Sequence, residues 1–346
     1  MDITLQDVKE CVARFGIHDN IQSIELLADG PDHYVPYDVI RKIILIKYET
    51  NVPMVIKFVR EEIFSPETIN NQCSFSDFLG EIGITVPKRW KADYSYCIKF
   101  EKDGLDMDVY IESYFSTPLQ TLSLDTINDV GKIMGKMHSA SIKHNKRIGF
   151  SMLYNEVLYK DTSYERLWRG EDHSFIDKKS MEDLLSVYNS RLNIIKGIWS
   201  DLPRAAVQGD IYSHNNFALE NGRLAIFDFN LAGDEAVLGD CMLYWFRTIF
   251  DEKIQDEIAQ LNIKDMWENY WKGYSQYRKL TEIEIKHLPD VYAILGCLYY
   301  TKLLAFKVST GRSEEAKKTW RFLFELLNVD KEILPKNFIT RFEEYF

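Results

Sequence analysis

A predicted hairpin brings together two oxygen-bearing side chains, Asn215 and Asp228. The pair Asn221-Gly222 is typical of a two-residue type I′ turn, because both central positions of that turn need positive φ. Pairing the flanking strands outward from this turn places Asn215 opposite Asp228, and directly opposed residues have Cβ atoms roughly 4.5–5.5 Å apart. Hard oxygen ligands so placed suit Mg²⁺, which takes few protein ligands. The alternative is an ordinary hairpin with polar ends.

Asp210 lies upstream of this pair and forms the spacing D-x-x-x-x-N with Asn215. Protein-kinase catalytic loops have this spacing: the Asp accepts the proton of the substrate hydroxyl and the Asn binds Mg²⁺, while a later Asp binds the Mg²⁺ that bridges the phosphates. Because the spacing alone is common by chance, the prediction depends on its combination with the hairpin and with Asp228.

These segments resemble the aminoglycoside phosphotransferase and choline kinase-like superfamily, which are small-molecule kinases with a protein-kinase-like fold. That family usually shows H-G-D-x-x-x-x-N followed by I-D-F/W, and this chain has Gln208-Gly209-Asp210 up to Asn215, then residues 226–229 as I-F-D-F. The resemblance implies Asp210 as the catalytic base, and Asn215 and Asp228 as metal ligands. Gln208 then braces the loop at the usual His position. The implied cofactors are Mg²⁺ and ATP, with GTP left open.

Composition narrows the classes of partner. A formal net charge of −11 and a pI near 5.3 argue against a nucleic-acid-binding surface, which is normally basic. The same charge is compatible with a cationic substrate, although solubility alone also explains it. Five dispersed cysteines are typical of reduced thiols in a cytosolic protein. We find no signal peptide, and the longest apolar stretch, 291–304, is too short to span a bilayer, so we expect a cytoplasmic protein.

The patterning predicts an α+β, bilobal, protein-kinase-like fold. The first lobe, residues 1–115, carries a small antiparallel sheet with one helix, and the second, residues 116–346, is mainly helical apart from the hairpin. An N-terminal helix at 3–16 precedes the sheet. The predicted strands are 21–27, 39–48, 54–59, 94–100 and 107–115, with the helix at 66–82 between the third and fourth.

Lys57 stands inside the otherwise apolar third strand. Burying an unpaired ammonium group is costly, so we expect Lys57 to reach phosphate oxygens or an acid. It matches the strand lysine of kinases, which contacts the α- and β-phosphates. The alternative is the solvent face of an edge strand. In the resemblance, the helical partner position falls on Gln72, which lacks a full countercharge, and Glu67 stays an alternative partner.

The two segments expected to bind the nucleotide match the kinase pattern less closely. The loop at 28–34 has one glycine instead of G-x-G-x-x-G, and we assign no role to its residues. The strand ending at Phe115 resembles the one that leads into the family's inter-lobe hinge. Backbone groups from Ser113 to Phe115 are therefore expected to hydrogen-bond adenine, with core packing as the alternative for their side chains.

Further polar residues have structural or acceptor-binding interpretations. Asp234 and Glu235 follow Asp228 closely and are candidates for contacting the acceptor, unless they belong to a solvated loop. His138 is expected to be a hydrogen-bonded, buried histidine. Asp240 is expected to hold the catalytic loop. An aromatic stripe on one helical face favours core packing over a cation–π pocket for an amine; its members are Trp267, Tyr270, Trp271, Tyr274 and Tyr277.

These observations predict transfer of the ATP γ-phosphoryl group to a hydroxyl of a small molecule of the aminoglycoside, amino alcohol or sugar class. The alternative is a nucleotide-binding pseudokinase or regulatory module. The single-glycine loop and Gln72 favour that alternative, whereas the complete set of Asp210, Asn215 and Asp228 argues against it. A protein kinase is disfavoured because no A-P-E segment follows Asp228.

Overall fold

The structure, a computed structural model, describes residues 2–30, 40–60, 65–119, 121–151, 178–211, 216–249, 260–309 and 313–327. The chain divides into two compact units. The first, here the sheet unit, comprises residues 1–118 and 217–230, and the second, the helical unit, comprises residues 119–216 and 231–346. The predicted hairpin therefore groups with the sheet unit.

The bounds of the described elements are as follows. The strands are β1 Ile21–Asp29, β2 Ile40–Tyr48, β3 Met54–Arg60, β4 Ile98–Lys102, β5 Leu105–Ser113, β6 Arg204–Val207, β7 Phe217–Glu220, β8 Arg223–Ile226 and β9 Gly233–Ala236. The helices are α1 Leu5–Arg14, α2 Pro66–Glu81, α3 Leu124–Lys143, α4 Lys178–Ile198, α5 Val237–Ile249, α6 Ile263–Tyr274, α7 Glu282–Ser309 and α8 Ser313–Leu327.

The sheet unit is built on five antiparallel strands in the order β1-β2-β3-β5-β4. Side chains alternate between the two faces of a strand. On β3, Met54, Ile56 and Phe58 face one side and form a core with apolar residues of α1, such as Val8 and Val12. Lys57 therefore points to the opposite face of the sheet. This alternation directs Lys57 away from the α1 core.

The hairpin has the predicted turn and register. Asn221 and Gly222 have φ values of 50° and 74°, as a type I′ turn requires. Phe217 pairs with Ile226, and the strands continue in step to the turn. The hairpin is tied to its unit by a hydrogen bond of 2.9 Å from the Ile226 N–H to the Thr85 carbonyl. Its register thus fixes where the chain carries Asp228.

In its described residues, the helical unit contains the helices from α3 to α8 and a two-stranded antiparallel ladder of β6 and β9. This ladder was not predicted, because the sequence indicated a mainly helical region outside the hairpin. Both strands are four residues long, and β9 reads G-D-E-A, a composition depleted in natural strands. The pairing of these two strands therefore depends on the neighbouring backbone, and the strand propensity of their side chains does not predict it.

The aromatic stripe of α6 belongs to the core. Tyr270 and Tyr274 are fully buried and Trp267 nearly so. The Tyr270 ring stacks on Tyr244 of α5 at 5.1 Å, and the Trp267 ring packs edge-on against Trp245 at 4.8 Å. The core interpretation is therefore confirmed for Trp267, Tyr270 and Tyr274, whereas Tyr277 lies beyond the end of α6 and is exposed.

The predicted α+β class, with its antiparallel N-terminal sheet and mainly helical C-terminal part, is also confirmed. Of the helices in the described ranges, none combines the length and the apolar character that a bilayer span requires.

Candidate active site

Lys57 is buried in the sheet unit and is surrounded by acceptors. Its Nζ lies 2.9 Å from Oε1 of Glu112 and 3.0 Å from Oδ1 of Asp228, and it lies 3.3 Å from Oδ1 of Asn230. Burial alone would lower the pKa of Lys57, but the charges of Asp228 and Glu112 outweigh burial and hold that pKa above its usual value. Lys57 is therefore a fixed positive charge.

Glu112 of β5 joins two buried cations. Its Oε1 faces Lys57, and its Oε2 lies 2.9 Å from a guanidinium nitrogen of Arg89. Arg89 also donates to the Sγ of Cys73 on α2 and lies over the ring of Phe229. Burial is tolerable because the two cations, Lys57 and Arg89, meet two carboxylates, those of Glu112 and Asp228.

Asp228 follows β8 with a φ of 61°, a left-handed conformation that is uncommon for a residue other than glycine. Such strained residues concentrate at functional sites. About one-third of its side chain is exposed, at 34%. Burial alone would raise the pKa of the carboxyl, but the charge and hydrogen bond of Lys57 hold that pKa below its usual value. The carboxylate therefore stays ionised, as a metal ligand must be.

The segment after Asp228 is held by α2 and β5. The Gln72 side-chain amide donates to the carbonyl of Asn230 at 2.7 Å. The Tyr110 hydroxyl donates to Oδ1 of Asn230 at 2.8 Å. The sequence left Gln72 and Glu67 as the candidate partners of Lys57. In the structure the carboxylates paired with Lys57 are instead those of Glu112 and Asp228. Glu67 is exposed in the first turn of α2.

The end of β5 already uses part of its hydrogen-bonding capacity. The Ser113 N–H donates to the Lys88 carbonyl, and the Tyr114 N–H donates to the Pro53 carbonyl. The Phe115 ring packs edge-on against Phe227 at 6.1 Å. Contact of the Ser113–Phe115 backbone with adenine stays a prediction.

The catalytic-loop candidate lies in the helical unit. Gly209 has a φ of 79°, and a Cβ on it would meet the Leu231 carbonyl oxygen at 2.3 Å, so only glycine fits. The Gly209 N–H donates to Oδ1 of Asp240 at 3.1 Å, and the Asp210 N–H donates to the Gln208 side chain at 2.8 Å. Gln208 is fully buried, so it braces the loop as predicted.

A buried polar chain extends from Asp240. His138 bridges Oδ2 of Asp240 and the Tyr274 hydroxyl, each at 3.0 Å, and is fully buried as predicted. Arg278 continues the chain by donating to the same hydroxyl and, at 2.7 Å, to Glu284. The predicted structural role of Asp240 is thus confirmed: it fixes the loop that presents Asp210.

Arg247 of α5 is a neighbour of Asp210 that the sequence did not single out. Its guanidinium forms an ion pair with the Asp210 carboxylate and lies 3.3 Å from the Asp210 carbonyl oxygen. Arg247 therefore supplies a countercharge to this carboxylate.

The tentative acceptor ligands have contacts within the helical unit. The two carboxylate oxygens of Asp234 accept hydrogen bonds of 2.8 and 2.9 Å from the N–H groups of Ile148 and Gly149. Glu235 is buried in β9. The Asp234 side chain therefore helps to hold the chain, and the contact of either residue with an acceptor stays a prediction.

Asn215 lies outside the described residues, as does most of the loop expected at 28–34. Searching the described residues alone gives no group of three His, Cys, Asp or Glu side chains arranged to hold a metal. A Mg²⁺ site that completes its shell with phosphates and waters does not need such a group. The ionised Asp228 carboxylate fits one of the few protein ligands of such a site.

Sequence reasoning missed Glu112, Arg89 and Asn230. Glu112 carried only a weak signal, because β5 alternates the acids Asp106, Asp108 and Glu112 with apolar residues, a pattern that is typical of a strand with one polar face. Its pairing with Lys57 follows from β3 and β5 being adjacent, since Val55 lies opposite Glu112 and Lys57 opposite Tyr110. Arg89 and Asn230 carried no local signal, because both lie outside regular elements.

Comparisons with known proteins agree with the motifs. No family model matches the chain. It is 20% identical over 334 residues to the amicoumacin kinase of Bacillus subtilis (strain 168), covering 93% of this chain and 92% of that protein.

Solved structures match over a similar length. One is an amicoumacin kinase, hAmiN, in complex with AMP-PNP, Ca²⁺ and Ami, with a TM-score of 0.64, 15% identity and coverage of 95% of this chain and 97% of that one. Another is a microcompartment-associated aminopropanol kinase, with a TM-score of 0.61, 14% identity and coverage of 94% and 95%. A third, a spectinomycin phosphotransferase in complex with ADP and spectinomycin, has a TM-score of 0.56, 12% identity and full coverage of both chains. These matches show that the chain has the fold of these small-molecule kinases, as the resemblance implied.

Proposed function

We propose that this chain is a small-molecule kinase that transfers the γ-phosphoryl group of ATP to a hydroxyl group. The observation that carries the proposal is the buried Lys57, fixed as a cation beside the ionised Asp228. Groups with strongly shifted pKa values concentrate at functional sites, and a buried cation beside a partly exposed carboxylate is suited to bind charged ligands. Relatives with this fold include kinases for amicoumacin and aminopropanol.

Each residue has a role in this proposal. Lys57 binds the α- and β-phosphate oxygens, and Asp228 with Asn215 would hold Mg²⁺, which neutralises phosphate charge when bound. Asp210 orients the acceptor hydroxyl and accepts its proton. The backbone of Phe115, and of Ser113 nearby, contacts the adenine. Most of the rate then comes from positioning and electrostatics.

The acceptor in this proposal carries a hydroxyl and a cationic nitrogen. Aminopropanol and choline, named for two kinases of this fold, both have these groups, and a net charge of −11 favours a cation. Other solved relatives are in complex with spectinomycin and hygromycin B. Asp234 and Glu235 are the acids we propose nearest to the acceptor.

A coupled ADP-release screen tests the function. The panel holds amicoumacin, aminopropanol, choline, spectinomycin and hygromycin B, with glucose as an acceptor that lacks nitrogen. We expect Mg²⁺-dependent ADP release with an amine-bearing acceptor. Since a general base contributes about 10²–10⁴-fold, the Asp210→Asn variant should lose turnover by that factor while it still binds Mg-ATP. ATP binding without turnover on an extended panel would instead favour the nucleotide-binding regulatory module.

A further inference from the structure

Lys57 has an unusual source of countercharge. In protein kinases the strand lysine pairs with a Glu of the helix that follows, and the position of that helix controls activity. Here the corresponding helix is α2, and its residue 72 is Gln. The acid beside Lys57 comes instead from β5, as Glu112 at 2.9 Å.

The contact of Gln72 explains why this position is not an acid. Its side-chain amide donates to the Asn230 carbonyl oxygen at 2.7 Å. A carboxylate is only an acceptor and cannot make this hydrogen bond. A Glu here would place a negative charge against a carbonyl oxygen. Gln72 therefore holds the segment two residues after Asp228, which is a different task from holding Lys57.

The position of Glu112 suits it to hold Lys57. The two residues are on adjacent strands and are offset by two residues in register, so they lie on the same face of the sheet. Arg89 holds the second oxygen of Glu112 at 2.9 Å, and both side chains are buried. With an ion-pair partner at each oxygen, the carboxylate is restrained from turning away from the lysine.

We propose that Glu112, oriented by Arg89, is the positioning residue that holds Lys57 for the nucleotide phosphates, in place of an acid on α2, and that Gln72 positions the Asp228 segment through Asn230. The inference rests on the proposed function, in which Lys57 binds phosphates. Because Lys57 and Glu112 belong to one sheet, the lysine stays in position without any movement of α2.

The test separates positioning from stability. Glu112→Gln keeps the shape but leaves Arg89 without its countercharge, so we expect a lower melting temperature. Glu112→Gln with Arg89→Met removes both buried charges, and we expect most of the melting temperature to return, because an ion pair can be exchanged for apolar packing. Lys57 has still lost an anchor in the double variant. The dissociation constant for Mg-ATP should therefore rise at least tenfold, and kcat/KM should fall about a hundredfold, as for a misplaced catalytic group.

Glu101→Gln is the matched control. Glu101 is an exposed acid on β4 of the same sheet, and its replacement should change neither the melting temperature nor Mg-ATP binding. A double variant that recovers both stability and nucleotide binding would overturn the positioning role of Glu112. If wild type itself binds no Mg-ATP by calorimetry, the proposed function fails, and this outcome is distinct from a failure of the Glu112 assignment alone.

A second variant tests Gln72. If the usual lysine–helix pair were merely missing here, Gln72→Glu would restore it and would rescue Glu112→Gln. We expect the opposite: Gln72→Glu weakens Mg-ATP-dependent turnover in both backgrounds, whereas Gln72→Asn, with its shorter amide, retains more of it. Rescue by Gln72→Glu would contradict the assignment.

Discussion

Lys57 and its neighbours form the charged group to which the proposed function assigns the nucleotide phosphates. The carboxyl groups of Glu112 and Asp228 hold the ammonium group in place, and the Tyr110 ring lies 5.6 Å from its Nζ. A cation fixed in this way needs no reorganisation when phosphate charge develops, which is the main source of electrostatic catalysis. The same arrangement explains how a lysine can be buried in the middle of a sheet.

Gly209 is the residue on which the geometry of the Asp210 loop depends most directly. In Gly209→Ala the new Cβ would meet the Leu231 carbonyl at 2.3 Å, in a backbone conformation that alanine rarely adopts. The backbone must therefore shift and move Asp210. We expect a loss of about 1–3 kcal/mol in the free energy of unfolding, and a drop in kcat/KM of more than about tenfold. Urea denaturation and steady-state kinetics measure the two effects.

Gly222→Ala is the control for Gly209→Ala. Gly222 has a similar φ of 74°, but a Cβ on it would meet no atom within 4 Å. This variant pays the conformational cost without the collision, so its turnover should stay near the wild-type value. Equal losses of turnover in the two variants would show that the collision with Leu231 is unimportant.

At the scale of elements, α3 and α6 are joined by a contact that only glycine permits. A Cβ on Gly135 would lie 2.4 Å from the Tyr274 carbonyl oxygen, and one on Gly273 would lie 2.0 Å from that of Asn128. These are backbone atoms, which cannot move as a flexible side chain can. The same contact brings His138 of α3 to the Tyr274 hydroxyl of α6, so the helix packing also supports the loop that carries Asp210.

Gly135→Ala should therefore force these helices apart. We expect a loss of about 1–3 kcal/mol in the free energy of unfolding, the range for overpacked cores, measured by chemical denaturation. Gly197→Ala in α4 is the matched control, because a Cβ there would meet nothing within 4 Å. Alanine is the better helix former, so this control should be neutral or up to about 1 kcal/mol more stable. Destabilisation of both variants to the same extent would argue against the close packing.

The N-terminus of α1 makes a pH-dependent contribution to stability. Asp7 completes a capping box with Thr4 and also pairs with Lys102. Burial alone would raise the pKa of Asp7, but the hydrogen bonds from Lys102 and Thr4 hold that pKa below its usual value. A lowered pKa means that the stabilisation is complete above the ordinary carboxyl range, near pH ~4, and is lost as the pH falls through the folded-state pKa.

Asp7→Asn should lower the free energy of unfolding by about 0.5–2 kcal/mol at neutral pH, as the loss of a helix cap does. The difference in this free energy between the variant and wild type should shrink below about pH 4. Thermal denaturation across this pH range measures it. Glu10→Gln is the control, since Glu10 is exposed on the same helix and can keep its contact with Gln6 as an amide. A difference that does not vary with pH would exclude the charge of Asp7 as its cause.

Elements with strong local signals were predictable. The Asn221-Gly222 turn set the hairpin register, and the alternation of β3 isolated Lys57 from the α1 core. The ladder of β6 and β9 was not predictable, because its short strands lack strand-forming residues and are paired by their surroundings.

At the scale of the whole molecule, the contacts that join distant segments were the hardest to predict. Lys57 and Asp228 are 171 residues apart in the chain, and both carried motifs, so their roles could be predicted separately. Gln72 and Asn230 are 158 residues apart, and Asn230 carried no motif. In the family pattern Gln72 stands where an acid is usual. Its role as a hydrogen-bond donor was identified only by the position of its acceptor, the Asn230 carbonyl oxygen. A sequence identifies charged groups, but their pairing is a property of the folded chain.

Binding of nucleotide and metal should stabilise the whole protein, since a ligand that binds only the folded state shifts unfolding by mass action. At a concentration of a hundred times its dissociation constant, Mg-ATP contributes about 2.7 kcal/mol, a rise of about 3–8 °C in melting temperature for a chain of this size. We expect this rise in wild type and a smaller one with ATP and EDTA.

Lys57→Met should lose most of the rise in melting temperature, because it removes the cation that we propose to bind the phosphates. Asp228→Asn should lose the Mg²⁺-dependent part, so that its shift with Mg-ATP equals the wild-type shift in EDTA. Differential scanning fluorimetry over a concentration series measures all of these shifts, with Glu101→Gln as the control that keeps the full rise. An Mg²⁺-dependent rise as large in Asp228→Asn as in wild type would show that the metal is held by other residues.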